Sequence, residues 1–552
     1  MKKLLFLFLI LVNCILLFSQ TTIPGGYVSG TWLYSGSPYL IEGEITIPDG
    51  EILTIDPGCL IEFQGHYKLN VQGRILAEGT EQDTIYFYRE DNLWGGINFI
   101  QTPTSNDSSK FSYCKITKAA GGAIEIDSFD KVVISDCTIR NNRRTDHGGA
   151  IFCTNSELSI KKSNITRNLA INYDDYPTWG GAIYLENSYL KLSHCIISRN
   201  YVYGDGEWSG GAGAGMYMIN SSCDMSDCEI YGNYSVFNGG PSRGGGLMAY
   251  YSQLEINNTI IRDNDMSCGA GIYVDDCNLF IRNSSFFDNI SPNPYEGDGI
   301  ACDGDSYVEI INTTLCNNYG FGFAGAGDNL YFINCIFQGN YYNQIGISGG
   351  YGGHGITTAD FEYNCIENGL NGITINNPDW VIFNWLEGNI EDDPLFVDPE
   401  NGDFHFFSNS PCINTGTPDT TGLNLPEYDL DGNPRIYEDH IDMGCYEWQG
   451  TGTENNELPT VNYKLNNFPN PFNPTTTIKF SIQNDSKIEL TIYNIKGHKI
   501  KTLTQNEFNK GDHSIIWNGD DDSNKLVSSG VYLYKLFIND KTEVVKKCLL
   551  LK

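Results

Sequence analysis

Positive charge is scarce in this sequence, since 34 Lys and Arg stand against 68 Asp and Glu and give a formal net charge of −34. A surface of that sign repels phosphodiester backbones, so nucleic acid is excluded as an expected partner. The same charge is compatible with divalent cations and with neutral or cationic substrates. The composition therefore favours a solvated, acidic protein over a nucleic-acid-binding one.

Long apolar runs are missing after the N-terminus. Lys2 and Lys3 precede the apolar segment from Leu4 to Phe18, which is typical of a secretory signal peptide over residues 1–19. A lipoprotein signal that uses Cys14 is the alternative, and the Asn before that cysteine disfavours it. No later stretch reaches the roughly 18 apolar residues that span a bilayer. We expect a mature chain without a transmembrane segment, secreted or exposed at the cell surface.

A helical period of 3.6 residues is also missing, and a repeat is found instead. Copies that begin with a glycine-rich pair start at residues 121, 148, 180, 213, 244, 269 and 297, and a less regular eighth copy ends at Asn340. Each copy holds three short runs of alternating apolar and polar residues, as in GGAIYLENSYLKLSHCIISRN from Gly180. Such runs predict three strands per repeat, each with one face inward, stacked as a solenoid.

Two positions in each copy predict rows along the solenoid. The first holds only small side chains and predicts a narrow inward row of unbonded thiols and hydroxyls: Cys137, Ser163, Cys195, Cys228, Thr259, Ser284, Thr313 and Cys335. The second closes each copy with asparagine, which tolerates left-handed backbone and can form amide ladders. These residues are Asn142, Asn168, Asn200, Asn233, Asn264, Asn289, Asn318 and Asn340.

With these features the chain resembles the right-handed parallel β-helix, or pectin-lyase-like, family. The N-terminal coils, such as ITIPDGEILTIDPGCLIEF over residues 45–63, fit the same pattern. The resemblance implies a right-handed parallel β-helix solenoid over residues 20–376, with roughly a dozen coils between residues 40 and 376. Together with the short alternating strands near the C-terminus, it predicts an all-β fold in which this solenoid is followed by a small immunoglobulin-like β-sandwich.

Residues 377–450 change character. The motifs DPLFVD, SPCINTG, DLDGNPR and DMGCYE resemble the choice-of-anchor Q region, which implies a cap on the C-terminal end of the β-helix. Cys412 and Cys445 are a possible disulfide. Asp429, Asp431 and Asn433 resemble half of a calcium loop, so calcium is a possible cofactor. An Asp/Asn/Gly turn is the alternative, because no bidentate Glu follows at the expected distance.

A polar linker over residues 451–464 leads to short alternating strands over residues 465–552. The motifs PNPFNP, IYNIKGHKI, GDHSIIWNG and SSGVYLYKL resemble the type A C-terminal sorting domain of the type IX secretion system. The resemblance implies recognition by that machinery at the outer membrane, removal of the domain, and release or attachment to surface lipopolysaccharide. A generic immunoglobulin-like module is the alternative.

The longest connections between copies, over residues 169–179, 201–212 and 234–243, predict where a ligand binds, because insertions in repeat proteins gather on one face. Aromatic rings beside carboxylates suit a polysaccharide. The candidate ligand-binding residues are Tyr173, Tyr176, Trp179, Tyr203 and Trp208. The weak catalytic candidates are Asp174, Asp175, Asp205 and Glu207, since two suitably spaced carboxylates hydrolyse glycosidic bonds. Packing of the rings against one another is the alternative.

Catalytic motifs of the family are largely missing. Gly353-His354-Gly355 resembles one element of polygalacturonases, but their Asn-Thr-Asp and Arg-Ile-Lys elements are absent, as is the Arg-x-x-Pro-x-x-Arg pattern of pectate lyases. We therefore expect a secreted, surface-displayed protein with a non-catalytic binding, adhesion or structural role. A polysaccharide lyase or glycoside hydrolase is the alternative.

Overall fold

The alternating pattern predicts three strands per repeat. The computed structural model contains these strands in three parallel sheets of fourteen strands each. The chain divides after Gly450 into two units. The predicted signal peptide, residues 1–19, and the predicted linker, residues 451–464, lie outside the described residues. The structure describes residues 20–173, 176–204, 210–237, 242–291, 297–326, 329–350, 355–437, 439–450, 465–470, 472–482, 485–494, 498–523, 525–538 and 541–550.

Each coil of the first unit contributes one strand to each sheet. Sheet A contains Thr21–Ile23, Tyr39–Ile41, Leu60–Phe63, Ile85–Tyr88, Cys114–Thr117, Thr138–Arg140, Asn164–Thr166, Ile196–Ser198, Glu229–Tyr231, Ile260–Arg262, Ser285–Phe287, Thr314–Cys316, Ile336–Gln338 and Cys365–Ile366. Sheet B contains Gly26–Tyr27, Ile45–Ile47, Lys68–Val71, Gly96–Ile100, Ile124–Asp127, Ile151–Thr154, Ile183–Glu186, Met216–Ile219, Leu247–Tyr250, Ile272–Asp275, Gly297–Asp303, Phe321–Ala326, Asn343–Ser348 and Ile373–Asn376. Sheet C contains Gly30–Trp32, Ile52–Ile55, Arg74–Glu78, Ser109–Ser112, Val132–Ser135, Glu157–Lys161, Tyr189–Ser193, Ser222–Ser226, Gln253–Asn257, Asn278–Arg282, Tyr307–Ile311, Asn329–Ile333, Thr357–Glu362 and Val381–Trp385.

The core of the solenoid follows from the alternation of side chains. In the strand Tyr189–Ser193, Leu190 and Leu192 are buried, while Lys191 between them is exposed. Short 3-10 segments join some strands. Among the described residues they are Tyr34–Gly36, Gly369–Gly372, Pro378–Trp380 and Pro399–Asn401. The strands begin earlier than the coils that the sequence pattern counted, and sheet C continues beyond residue 376 to Trp385.

The asparagine ladder forms through the buried interior. The Nδ2 of each asparagine from Asn142 to Asn318 donates to the Oδ1 of the next, at 3.0–3.1 Å. The backbone N–H of the donating asparagine also donates to that Oδ1, as from Asn200 to Asn233 at 3.0 Å. At the C-terminal end of the ladder, Asn340 Nδ2 donates to Gln344 Oε1 at 2.7 Å. Each amide therefore satisfies buried polar groups of two coils.

Left-handed backbone belongs to the residue before each ladder position. Positive φ angles are found at Asn141 (55°), Arg167 (57°) and Arg199 (55°), whereas the ladder asparagines have none. The expectation that the ladder residue itself takes the left-handed conformation is therefore wrong. Its side chain is needed for the ladder, so the sharp corner falls one residue earlier.

The narrow inward row also forms. Backbone N–H groups donate along it, from Cys137 to Ser163 Oγ at 3.0 Å and from Cys195 to Cys228 Sγ at 3.4 Å. A second row at the next corner, which the sequence pattern did not reveal, runs through Ser156, Ser188, Ser221 and Ser252. The cysteines in the described part of the chain are buried and form no disulfide with one another.

The predicted Cys412–Cys445 disulfide is therefore wrong. Cys445 Sγ lies 3.3 Å from Thr314 Oγ1 of a coil, and Cys412 packs in an apolar cluster that includes Cys365. Each thiol is thus held by a different coil rather than by the other thiol.

The described parts of the longest connections contain strands. They stack in parallel beside the solenoid as two further sheets, which we call the flange. One flange sheet contains Arg143–Thr145, Leu169–Asn172, Tyr201–Gly204 and Tyr234–Phe237, and the other contains Thr178–Trp179, Gly211–Ala212 and Ser242–Arg243. Glycines allow the backbones of neighbouring coils to approach closely where the flange joins the coil. A Cβ on Gly181 would lie 2.3 Å from the carbonyl oxygen of Ala214.

Residues 394–448, which we call the flank segment, contain the antiparallel strands Phe396–Asp398 and Asp403–Phe406. The segment bonds to corners on the side of the solenoid. Asn283 donates to the Tyr428 carbonyl at 2.9 Å, and Asn312 donates to the Asp442 carbonyl at 2.8 Å. The sequence predicted that this segment caps the open end of the solenoid. The flank segment instead covers the side of the last coils, where it buries outward apolar residues of sheet A such as Ile336.

The flank segment is held by a buried ion pair. Arg435 and Glu447 side chains are 1% and 0% exposed, with Nη2 and Oε2 2.8 Å apart. Arg435 also donates to Asn283 Oδ1 of the solenoid at 2.9 Å. Burial raises the pKa of Glu447 to about 8, against the opposing charge of the guanidinium. Removal of either side chain is therefore expected to lower the stability of the first unit, because it leaves the other group buried without its partner.

The second unit is a small antiparallel β-sandwich. One sheet contains Leu465–Phe468, Thr476–Ile482 and Gly511–Trp517, and the other contains Lys499–Phe508, Ser486–Asn494, Gly530–Ile538 and Lys541–Leu550. Trp517 is fully buried in its core, and its Nε1 donates to the Asp520 carbonyl at 2.9 Å. The predicted all-β fold, a β-helix followed by an immunoglobulin-like sandwich, is confirmed.

Candidate ligand-binding face

Aromatic rings stack along the outer face of sheet B because its strands pair in register. Phe152, Tyr184 and Tyr217 occupy the same outward position in consecutive coils. Their rings are nearly parallel, with centroids 5.0 Å and 5.5 Å apart. Tyr184 and Tyr217 are only 4% and 2% exposed, because the flange covers them.

Trp179 and His147 pack the flange against this stack of rings. The Trp179 ring lies 5.0 Å from Tyr217 and 4.6 Å from His147. The Trp179 backbone N–H donates to His147 Nδ1 at 3.2 Å, so the ring proton sits on Nε2. Burial lowers the pKa of His147, which keeps the imidazole neutral at neutral pH.

A cavity of about 280 Å³ opens beside these rings. Its walls are Asp146, His147, Asn172, Tyr176, Pro177 and Trp179. Tyr176 is 71% exposed, whereas Asn172 is buried. A carboxylate, an amide and an imidazole beside aromatic rings are suited to the hydroxyl groups and apolar faces of a sugar.

Tyr173 and Tyr203 lie on the neighbouring flange sheet. Their ring centroids are 6.5 Å apart in an edge-to-face arrangement. Tyr173 is 58% exposed, and its hydroxyl accepts a hydrogen bond from Arg143 Nη2 at 2.5 Å. The guanidinium also lies 5.6 Å from the Tyr173 ring centroid, which fixes the orientation of that ring.

Sequence reasoning found the aromatic walls of this cavity but missed the polar ones. In the sequence His147 precedes a glycine pair, and no motif there indicates a partner for it. Pairing of Thr145 with Ile171 in the flange sheet brings Asp146 beside Asn172, whose Nδ2 donates to the Asp146 carboxylate at 3.5 Å. The predicted catalytic residues Asp174, Asp175, Asp205 and Glu207 lie outside the described residues, as do Trp208 and His354.

The predicted calcium residues form a turn. Asp429 Oδ1 accepts hydrogen bonds from the backbone N–H groups of Asp431 and Asn433, at 3.0 Å and 2.7 Å. The Asp431 carboxylate lies 2.5 Å from His405 Nε2. In the described part of the chain, no group of three or more His, Cys, Asp or Glu side chains is placed to hold a metal ion. The geometry is that of the alternative, an Asp/Asn/Gly turn.

No helix among the described residues has the length and apolar character needed to cross a membrane.

Two family models agree with this architecture. Comparison with curated proteins finds no match. Six chains of solved structures are similar, among them full-length tailspike protein 2 from the Escherichia coli O157:H7 bacteriophage CAB120. That match has a TM-score of 0.21 and 10% identity, and it covers 96% of this chain and 64% of the tailspike chain. The family model of the right handed beta helix region matches residues 41–178 and 104–295, and that of the FlgD Ig-like domain matches residues 470–539. The chain therefore joins a right-handed β-helix to a C-terminal immunoglobulin-like domain similar to that of FlgD.

Proposed function

We propose that this protein is exported to the cell surface or medium by the type IX secretion system and binds polysaccharide, without cleaving it, through the flange face. The observation that carries the binding proposal is the cavity between Tyr176 and Trp179. It combines an exposed ring with three polar side chains that converge on one space. Convergent polar groups in a largely aromatic cleft are characteristic of small-ligand sites.

The surroundings of the cavity support a polymer rather than a single small molecule. The flange repeats in consecutive coils, so equivalent surfaces follow one another along the solenoid axis. Extended surfaces of this kind are the ones that repeat proteins use for extended ligands. Tyr201 and Tyr234 continue the series of rings along the flange, stacked with centroids 5.3 Å apart.

The binding proposal is tested with the mature full chain and a panel of purified neutral and acidic polysaccharides. Tyr176→Ala is expected to weaken binding by about tenfold or more, since exposed aromatic anchors dominate such contacts. Tyr341→Ala is the matched control, because Tyr341 is 73% exposed but lies outside the flange. Equal losses in both variants, or no binding by the unaltered chain, would overturn the proposal.

The same samples distinguish binding from catalysis. The chain length of each bound polysaccharide is measured after prolonged incubation, together with the appearance of unsaturated or new reducing ends. Unchanged polymer is expected. Shortened polymer would replace the binding proposal with a lyase or hydrolase acting on this face.

The export proposal is supported by the sorting-domain motifs in residues 465–552 and by their fold as a separate β-sandwich. It is tested in a bacterium that has the type IX system, by expressing the full chain and a form that ends at residue 450. The full chain is expected outside the cell and the shortened form in the periplasm. Export of both forms, or export in a strain that lacks the outer-membrane machinery, would contradict it.

A further inference from the structure

A second cavity, of about 430 Å³, lies on the outer face of sheet A and shares no lining residue with the cavity beside Trp179. Tyr86 and Tyr88 form one wall, and Lys115 and Arg140 extend into the cavity from the next two strands. Arg89 and Lys118 also line it, each bonded to a backbone carbonyl, and Glu90 is the carboxylate among its lining residues. Four cations in one cleft stand out in a chain with a net charge of −34.

The position of Lys115 is informative because the same arrangement recurs farther along sheet A. Glu229 and Arg262 lie diagonally on adjacent strands, and Arg262 Nη2 bonds to Glu229 Oε1 at 2.7 Å. Lys115 and Arg140 occupy the same diagonal on their own strands. A lysine therefore stands where the other pair has its carboxylate, and two positive charges face each other.

Neither cation is neutralised by the protein. Among the described residues, no carboxylate lies within ion-pair distance of Lys115 or Arg140, although Arg144, Arg282 and Arg435 each have one. The Nε of Arg140 is buried and has no hydrogen-bond acceptor. Lys115 Nζ lies 5.1 Å from the Tyr86 ring centroid. Burial, followed by repulsion from Arg140, lowers the pKa of Lys115. A buried donor without an acceptor and two facing cations without a carboxylate are both suited to an anion.

We propose that this cavity binds a phosphomonoester, with its phosphate between Lys115 and Arg140 and its organic group against Tyr86. A phosphomonoester carries close to two negative charges at neutral pH, which balances the two cations, whereas a carboxylate or sulfate ester carries one. Guanidinium and ammonium groups are both strong phosphate donors, and the unpaired Arg140 Nε supplies one more N–H. The site is separate from the proposed polysaccharide-binding face and does not depend on it.

Calorimetric titration of the mature full chain tests this assignment. The probes are inorganic phosphate, glucose 6-phosphate, glucose 6-sulfate and glucuronate, and phosphatidylcholine vesicles with and without phosphatidic acid. Glucose 6-phosphate is expected to bind about tenfold or more tightly than the sulfate or the carboxylate, because of its second charge. Binding only to vesicles that contain phosphatidic acid would place the phosphomonoester on a lipid headgroup. Binding of soluble phosphate esters would place it on a free ligand.

Two variants of one residue separate binding from folding. Lys115→Glu recreates the Glu229–Arg262 pair, so it is expected to fold and to lose phosphate binding. Lys115→Met removes one charge without adding a pair and is expected to weaken binding by about tenfold. Lys191→Glu, on the exposed outer face of sheet C, is the control for the same change in net charge. Unaltered affinity in Lys115→Glu, equal loss in Lys191→Glu, or equal binding of all four soluble probes would overturn the proposal.

Discussion

The interior ladders and the flank segment both bury polar groups, but they satisfy them in opposite ways. Along the ladder, each asparagine bonds to its own equivalent in the next coil, and every group is neutral. In the flank segment, Arg435 bonds to Glu447, to two backbone carbonyls and to Asn283, a residue 152 positions away. The ladder shares its bonds among many copies, whereas the flank segment concentrates them in one ion pair.

The difference predicts different sensitivities to mutation. Removing one partner of a buried ion pair leaves a buried charge, which costs more than leaving a neutral group unsatisfied. The stability lost on removing one ladder asparagine is also divided between the two neighbouring coils to which it bonds. We therefore expect the unique network to be the weaker point of the first unit, although its individual bonds are stronger.

The largest effect is expected for Arg435→Met, which leaves Glu447 buried without its partner and costs about 3–5 kcal/mol. Since burial raises the pKa of Glu447 to about 8, the loss is expected to be greater at pH 9 than at pH 6, where the carboxyl takes up a proton. Limited proteolysis is expected to cut within the flank segment before the solenoid. Arg262→Met removes a partly exposed pair as the control, at a cost of about 1 kcal/mol or less. Similar protease resistance in both variants would contradict the comparison.

A middle-sized effect is expected for Asn233→Ala. The variant leaves the backbone N–H and Nδ2 of Asn200 without their acceptor, at a cost of about 2–3 kcal/mol. Hydrogen exchange is expected to rise at the coils on either side and not in the flank segment. Asn164→Ala, at an exposed position of sheet A, is the control. If exchange rises evenly across the whole first unit, the ladder does not act locally.

A smaller, pH-dependent effect is expected for His405→Gln. Burial opposes the charged imidazole, but hydrogen bonds to Asp431 and Asp403 outweigh it and raise the pKa of His405. The stabilisation is therefore fully present below the unfolded pKa of roughly 6.5 and is lost as pH rises through the higher folded value. The difference in unfolding free energy between the two proteins, about 1 kcal/mol at most for a half-exposed group, is measured from pH 5.5 to 9. A difference that grows with pH would contradict this sign.

The smallest effect is expected for Cys195→Ser, below about 1 kcal/mol, since serine already occupies the same row at Ser163 and Ser284. Reducing agent is expected to leave unfolding unchanged, because the described cysteines form no disulfide. Thiol alkylation of the folded protein should be slow, as burial raises the pKa of Cys445 to about 12. A shift of unfolding on reduction would reveal a disulfide.

The sequence predicted the ladder well because the partner of each residue is its own equivalent one coil away. Spacing alone therefore places Asn200 beneath Asn233. No such rule connects Arg435 with Asn283, so the position of the flank segment could not be read from a motif. The Cys412–Cys445 prediction failed for the same reason, since the neighbours of both residues are side chains of distant coils.

The candidate site lies between these cases. Tyr176 and Trp179 could be predicted because large rings in a long connection are conspicuous. Asp146 and Asn172 could not, because they meet only when two connections pair as strands in register. The diagonal of Lys115 and Arg140 likewise depends on strand register, which fixes facing residues but leaves no local sequence signal.

The amide ladder also has a direction. From Asn142 to Asn340 each side-chain amide donates one N–H toward the C-terminal coils and the other to a backbone carbonyl of the preceding coil. Gln344 continues the series by donating to Glu367 Oε2 at 2.8 Å. Aligned amides polarise one another, so the row has a positive end, as the N-terminus of an α-helix does. Glu367 places a carboxylate at that end. The β-helix thus carries an internal dipole along its axis, terminated by a counter-charge from its own chain.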